Sequence, residues 1–252
     1  MNRIALSIAI LGMSAGLANA SSLLFDRGLP TTNLNNAAGA NRSNVAWADS
    51  ETSSTPPEYW LPGDDFTLGG SGNYQVTTIR VWTTPMESST GLTLWGGNAG
   101  GTMSAISSSF TVTPVTYVDS TTYQGSSEAY RNLDQIDFSV NLNLAAGQTF
   151  DFFVDGPWSA YNDTLYANTF LHASNAALSG STQEGSDDTF LWLASDGTVQ
   201  TWFSGTGGGT TGWGAGWDKN SDGNVQVFGT PEPASLGLLA IGGLALLRRR
   251  RA

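Results

Sequence analysis

The chain has 252 residues, 40% of them apolar, no cysteine and a formal net charge of −11. Without cysteine there is no disulfide framework and no thiolate metal site, so the fold has to be held by its core alone. The acidic balance argues against nucleic-acid binding, whose phosphate contacts depend on Lys and Arg.

Asn2 and Arg3 open the chain, residues 4–17 are apolar or small, and Ala18-Asn19-Ala20 fits the A-x-A cleavage pattern of a secretory signal. Residues 1–20 are therefore expected to be a signal peptide. Signal peptidase would cut after Ala20 and leave Ser21 as the first residue of the exported chain.

Residues 21–230 form the expected body, one domain. Five of the ten Lys and Arg and all but one of the 21 Asp and Glu lie within it, so it carries five cations against twenty anions, a net charge of −15. All 27 aromatic residues, nine Trp among them, are also there. So many large apolar side chains favour a packed core over disorder.

Along the body the patterning is that of strands, with no convincing helix. Residues 74–83 alternate, with Val76, Ile79, Val81 and Trp82. Residues 134–144 alternate more regularly, placing Ile136, Phe138, Val140, Leu142 and Leu144 on one face. Shorter strand candidates cover 66–68, 92–95, 110–118, 149–154, 165–172, 190–193, 199–203 and 225–228, parted by Gly, Asn, Asp, Ser and Pro clusters. Residues 21–62 read as a loop-rich edge with one strand near 45–47. The glycine-rich stretch 204–217 reads as a loop before the last strand. This is the pattern of an all-β protein, a single β-sandwich of jelly-roll-like kind.

Candidate chemistry is sparse. Gly207, Gly209 and Gly212 satisfy G-x-G-x-x-G but open no helix, and no phosphate-binding lysine motif exists. His172 is the single histidine, without a G-x-S-x-G elbow, and reads as a packed or hydrogen-bonded strand residue. Asp64 with Asp65, Asp151 with Asp155, and Asp187 with Asp188 are the carboxylate pairs from which a glycoside hydrolase would be built. Adjacent acids on a strand point to opposite faces, and both neighbouring pairs are expected in loops facing water. Asp218, Asn220 and Asp222, followed by Gly223, match the first half of a calcium loop, but Gly229 stands where the closing Glu belongs. They are a weak Ca²⁺ candidate beside the simpler reading of a polar turn; no cofactor is otherwise expected. Trp60, Trp158, Tyr161, Trp213 and Trp217, all expected in loops, are candidates for stacking on sugar rings. Trp82, Trp95 and Trp192 are expected in the core.

Beyond the last expected strand come Pro231-Glu232-Pro233, an uncharged apolar run over 234–247, and Arg248, Arg249, Arg250 and Arg251. As a helix the run spans roughly 21 Å, short of a hydrocarbon core of about 30 Å. The arginines would remain on the cytoplasmic side and snorkel to lengthen the span. In element order, residues 231–252 resemble the PEP-CTERM protein-sorting signal of Gram-negative bacteria. That resemblance implies recognition by an exosortase, a membrane-embedded protease-like enzyme, transient residence in the inner membrane, and delivery to the cell surface or an exopolysaccharide matrix such as that of a biofilm. The body also looks like the sandwich domains found ahead of such tails. The combined expectation is an exported, non-catalytic surface or matrix protein, a structural or glycan-interacting component, the alternative being a secreted carbohydrate-active hydrolase with paired carboxylates.

Overall fold

The computed structural model describes residues 21–28, 46–50, 60–85, 89–115, 133–156, 158–161, 164–174, 191–200 and 222–232. These hold fifteen strands and no helix, arranged as two antiparallel sheets. Residues 1–20 and 233–252, with the expected signal peptide and apolar run, lie outside the described residues.

The nine-stranded sheet is organised on β4 (Asn73–Pro85). One edge of β4 pairs with β8 (Leu133–Ala145), which in turn carries β7 (Phe110–Val115). The other edge pairs first with β15 (Val225–Pro231) and beyond Val81 with β11 (Thr164–Ser174). β1 (Ser22–Asp26) lies outside β15, while β2 (Ala46–Ser50), β10 (Trp158–Tyr161) and β14 (Asp222–Gly223) pair with β11. The six-stranded sheet runs β13 (Val199–Gln200), β12 (Leu191–Ala194), β3 (Trp60–Thr67), β9 (Thr149–Asp155), β5 (Thr93–Asn98) and β6 (Ser104–Ser107). Four neighbours in one sheet thus run β1-β15-β4-β8 and four in the other β3-β9-β5-β6, and the chain crosses repeatedly between sheets.

The alternation in 134–144 turns Ile136, Phe138 and Leu144 to the core as expected, with Val140 and Leu142 packed against it. In β4 the register shifts between Val76 and Thr78 against both neighbours. Such a bulge changes which parity faces inward, so Val76 and then Ile79 and Val81 are all fully buried. Facing them from the other sheet are Phe66, Leu94, Phe150, Phe152, Val154 and Trp192, in one continuous cluster. Phe66 meets the rings of Phe25, Phe150 and Phe152 at centroid distances of 5.7, 5.5 and 6.3 Å. Truncating a ring buried in this way costs about 3–5 kcal/mol. The outer face of the six-stranded sheet carries a smaller apolar cluster of Leu61, Met103, Phe153, Leu191 and Leu193, with Trp95 and Val199 against it.

Several expectations are corrected. The region expected to be loop-rich contains β1, whose Ser-Leu-Leu-Phe-Asp shows no alternation yet inserts Phe25 into the core. Asp64 and Asp65, expected in a loop, stand within β3 because buried donors supply what water would have given. Trp60 begins β3 opposite Ala194, while Trp158 and Tyr161 are on β10 opposite Ala167 and Thr164, so none of the three is a loop residue. The last strand runs beyond 228 through Pro231, opposite Tyr74, which a proline permits at a strand end. Of the tryptophans expected in the core, Trp82 and Trp192 are buried and Trp95 is half-buried on the outer face.

Candidate functional site

β12 pairs with β3 over Trp60–Gly63. At the next residue the edge of β3 is met by Arg27, just past β1, and by β14. Asp64 is fully buried there: its Oδ1 lies 2.9 Å from Arg27 Nη1 and accepts the Asp65 N–H at 2.7 Å, and its Oδ2 accepts the N–H of Gly223. Arg27 Nη2 donates to Asp65 Oδ1 at 3.2 Å, and its backbone N–H to the Val225 carbonyl at 3.0 Å. Asp222 is buried beside them. Next to this knot, His172 Nδ1 and Asn224 Oδ1 are 2.7 Å apart, the Asn224 backbone N–H donates to the His172 carbonyl, and Asn224 Nδ2 donates to the Gly28 carbonyl. Gly28 turns the chain with φ of 88°, a conformation that favours glycine.

Burial pushes the Asp64 carboxyl up to about 8, Arg27 pulling it back and Asp222 adding to the rise. One cation stands against three carboxyls, so Asp64 takes up a proton more readily than an isolated carboxylate despite Arg27. The Asp64 oxygens are committed to Arg27 and two backbone N–H groups. The arrangement ties β1, β3, β14 and β15 together, as a buried ion pair with full hydrogen bonding can.

On the outer face of the same sheet the geometry differs. Asp65, 27% exposed, stands directly opposite Asp151, 4% exposed, across β3 and β9. Directly opposed side chains have Cβ atoms about 4.5–5.5 Å apart. Burial, and then the charge of Asp65, push the Asp151 carboxyl up to about 6. Asp155, on the same face of β9, is raised by burial, with the Trp95 indole opposing. Trp95 sits opposite Phe153 on β5. Two neighbouring carboxyls, with Asp151 holding its proton to higher pH than a free carboxyl, are suited to proton transfer or to gripping a hydroxyl.

The sequence pairs are thus rearranged. Asp64 and Asp65 face opposite sides, Asp151 partners Asp65 rather than Asp155, and Asp187 and Asp188 lie outside the described residues. His172 is a buried, hydrogen-bonded strand residue, as expected. Trp213, Trp217, Asp218 and Asn220 lie outside the described residues. Asp222, of the calcium candidate, is on β14 beside Arg27 and Asp64, and among the described residues no three acidic or His side chains converge on a metal position. Sequence reasoning missed Arg27 and Asn224. The signal that points to Arg27 is its rarity, one of five cations among twenty acids.

At the C-terminal end, the sorting motif itself touches the body. The Glu232 N–H donates to the Asn73 carbonyl at 2.9 Å. Its carboxylate accepts Asn73 Nδ2 at 3.2 Å and Asn143 Nδ2 at 2.7 Å.

Two antiparallel sheets over one core define an all-β body, and the sequence after β15 continues into an apolar run and four arginines. Residues 230–251 match the PEP-CTERM protein-sorting motif, which supports a PEP-CTERM protein and implies export through the membrane of a Gram-negative bacterium with processing by an exosortase. No curated protein and no solved structure matches it.

Proposed function

We propose that the protein is a non-catalytic component of the cell surface or the exopolysaccharide matrix, with a jelly-roll body that binds glycan. The sorting motif at 230–251 carries this reading. The strand orders β1-β15-β4-β8 and β3-β9-β5-β6 favour a jelly roll, an architecture of lectins. In this reading signal peptidase cuts between Ala20 and Ser21, residues 234–247 hold the chain in the inner membrane against Arg248–Arg251, and an exosortase removes the tail at Pro231-Glu232-Pro233. Trp213 and Trp217, with Trp60, Trp158 and Tyr161, supply stacking surfaces. Ca²⁺ at Asp218, Asn220 and Asp222 would order the chain ahead of β15.

The test is titration of the exported protein with host exopolysaccharide. Binding is expected, and Trp213→Ala with Trp217→Ala should weaken it by on the order of 1 kcal/mol per ring without lowering the melting temperature. A flat titration sinks the glycan reading. The second reading, a hydrolase, is favoured by the opposed Asp65 and Asp151 with the latter raised to about 6. Released oligosaccharides that vanish with Asp151→Asn would establish it.

A further inference from the structure

The motif that marks this chain for sorting is not a bare tether, because its first two residues are fastened to the sandwich. Pro231 closes β15 opposite Tyr74, and Glu232 is held by three hydrogen bonds: one from its N–H to Asn73, two from the Asn73 and Asn143 amides to its carboxylate. Asn73 is the first residue of β4, and Asn143 lies near the end of β8, where the two strands are paired. Neither side chain faces the core, so neither is needed to pack it.

We propose that Asn73 and Asn143 form a docking site for Glu232 that withholds the sorting motif from the processing enzyme until the end of β15 detaches. This rests on the reading that an exosortase recognises the motif. An enzyme that reads a glutamate does so through hydrogen bonds to its carboxylate and flanking backbone. Here those groups are already bonded to the body. The enzyme therefore meets a competent substrate only in the fraction of molecules whose Glu232 is undocked, and its apparent affinity falls by that fraction. Docking restrains the tail when the body is folded, and an unfolded body presents the motif without restraint.

The experiment is pulse-chase of tail removal in a host with an exosortase, using the full chain. Asn73→Ala with Asn143→Ala should shorten the processing half-time severalfold. Asn143→Arg, which places a cation against Glu232, should lengthen it. Hydrogen exchange on the full chain in detergent micelles should show the Glu232 amide protected in the parent and less so in the double alanine variant, with equal melting temperatures. Unchanged half-times in both variants, or exchange at Glu232 indifferent to the substitutions, overturn the docking site. A parent chain that keeps its tail in that host, with docking visible by exchange, overturns the sorting reading and with it the gate, while leaving the contact itself standing.

Discussion

Asp64 on β3 and Asp151 on β9 are buried carboxyls of the same sheet, one position apart across the pairing, and they meet the cost of burial differently. Asp64 looks inward and is met by Arg27 and two backbone N–H groups. Asp151 looks outward, has Asp65 as its charged neighbour across the strands, and responds by holding its proton. A buried acid is fixed either by donors or by protonation. Donors at Asp64 bind strands together; burial raises both carboxyls all the same, so the charge of each varies near neutral pH.

Removing the donors breaks this contrast most severely. Arg27→Ala leaves Asp64 and Asp222 buried without their cation, and the loss is expected to be about 3–5 kcal/mol, read by urea unfolding. A loss below about 1 kcal/mol would mean the knot is no stronger than a surface pair. Changing pH tests both acids together. Each is raised above 3.8, Asp151 to about 6 and Asp64 to about 8, so the folded chain holds more protons than the unfolded one across that interval. Their stabilising contribution is therefore present at low pH and is lost as pH rises through about 6 and then about 8. Calorimetry should show a melting temperature that falls from pH 5 to pH 8; a rise would overturn the assignment.

A finer test isolates Asp151. Asp151→Asn removes the need for protonation and should stabilise the fold at pH 7 by on the order of 1 kcal/mol, since solvent at the outer face screens the rest. The gain should disappear by pH 4–5. Asp64→Asn should go the other way at pH 7, because it weakens the hold on Arg27. Smallest is the change of Pro231, Glu232 and Pro233 to Ala, which should block sorting while lowering the melting temperature by less than about 2 °C, because only exposed hydrogen bonds are lost.

Legibility followed locality. The strands of 74–83 and 134–144 could be read because alternating side chains reflect one buried face. β1 could not, because a five-residue strand is specified by its place beside β15 rather than by its own pattern. His172 was read correctly as a packed strand residue. Asp64 was misread for a physical reason: an acid is expected in water unless a partner is known, and its partner Arg27 is 37 positions away in the chain, with Gly223 159 positions away. The pairing of Asp65 with Asp151 is likewise a matter of register between distant strands. The Pro-Glu-Pro motif was legible as a signal, whereas its anchorage on Asn73 and Asn143 belongs to the tertiary fold.

The position of β15 bears on the order of events during translocation. It is the last strand among the described residues, yet it lies between β1 and β4, so a chain crossing the membrane from its N-terminus exposes two unpaired strand edges until residues 225–231 arrive. Exposed edges invite pairing with other chains. Completion of the sheet is thereby tied to complete passage of the body, and a chain stalled before residue 225 would be an aggregation-prone intermediate for periplasmic chaperones or proteases to handle.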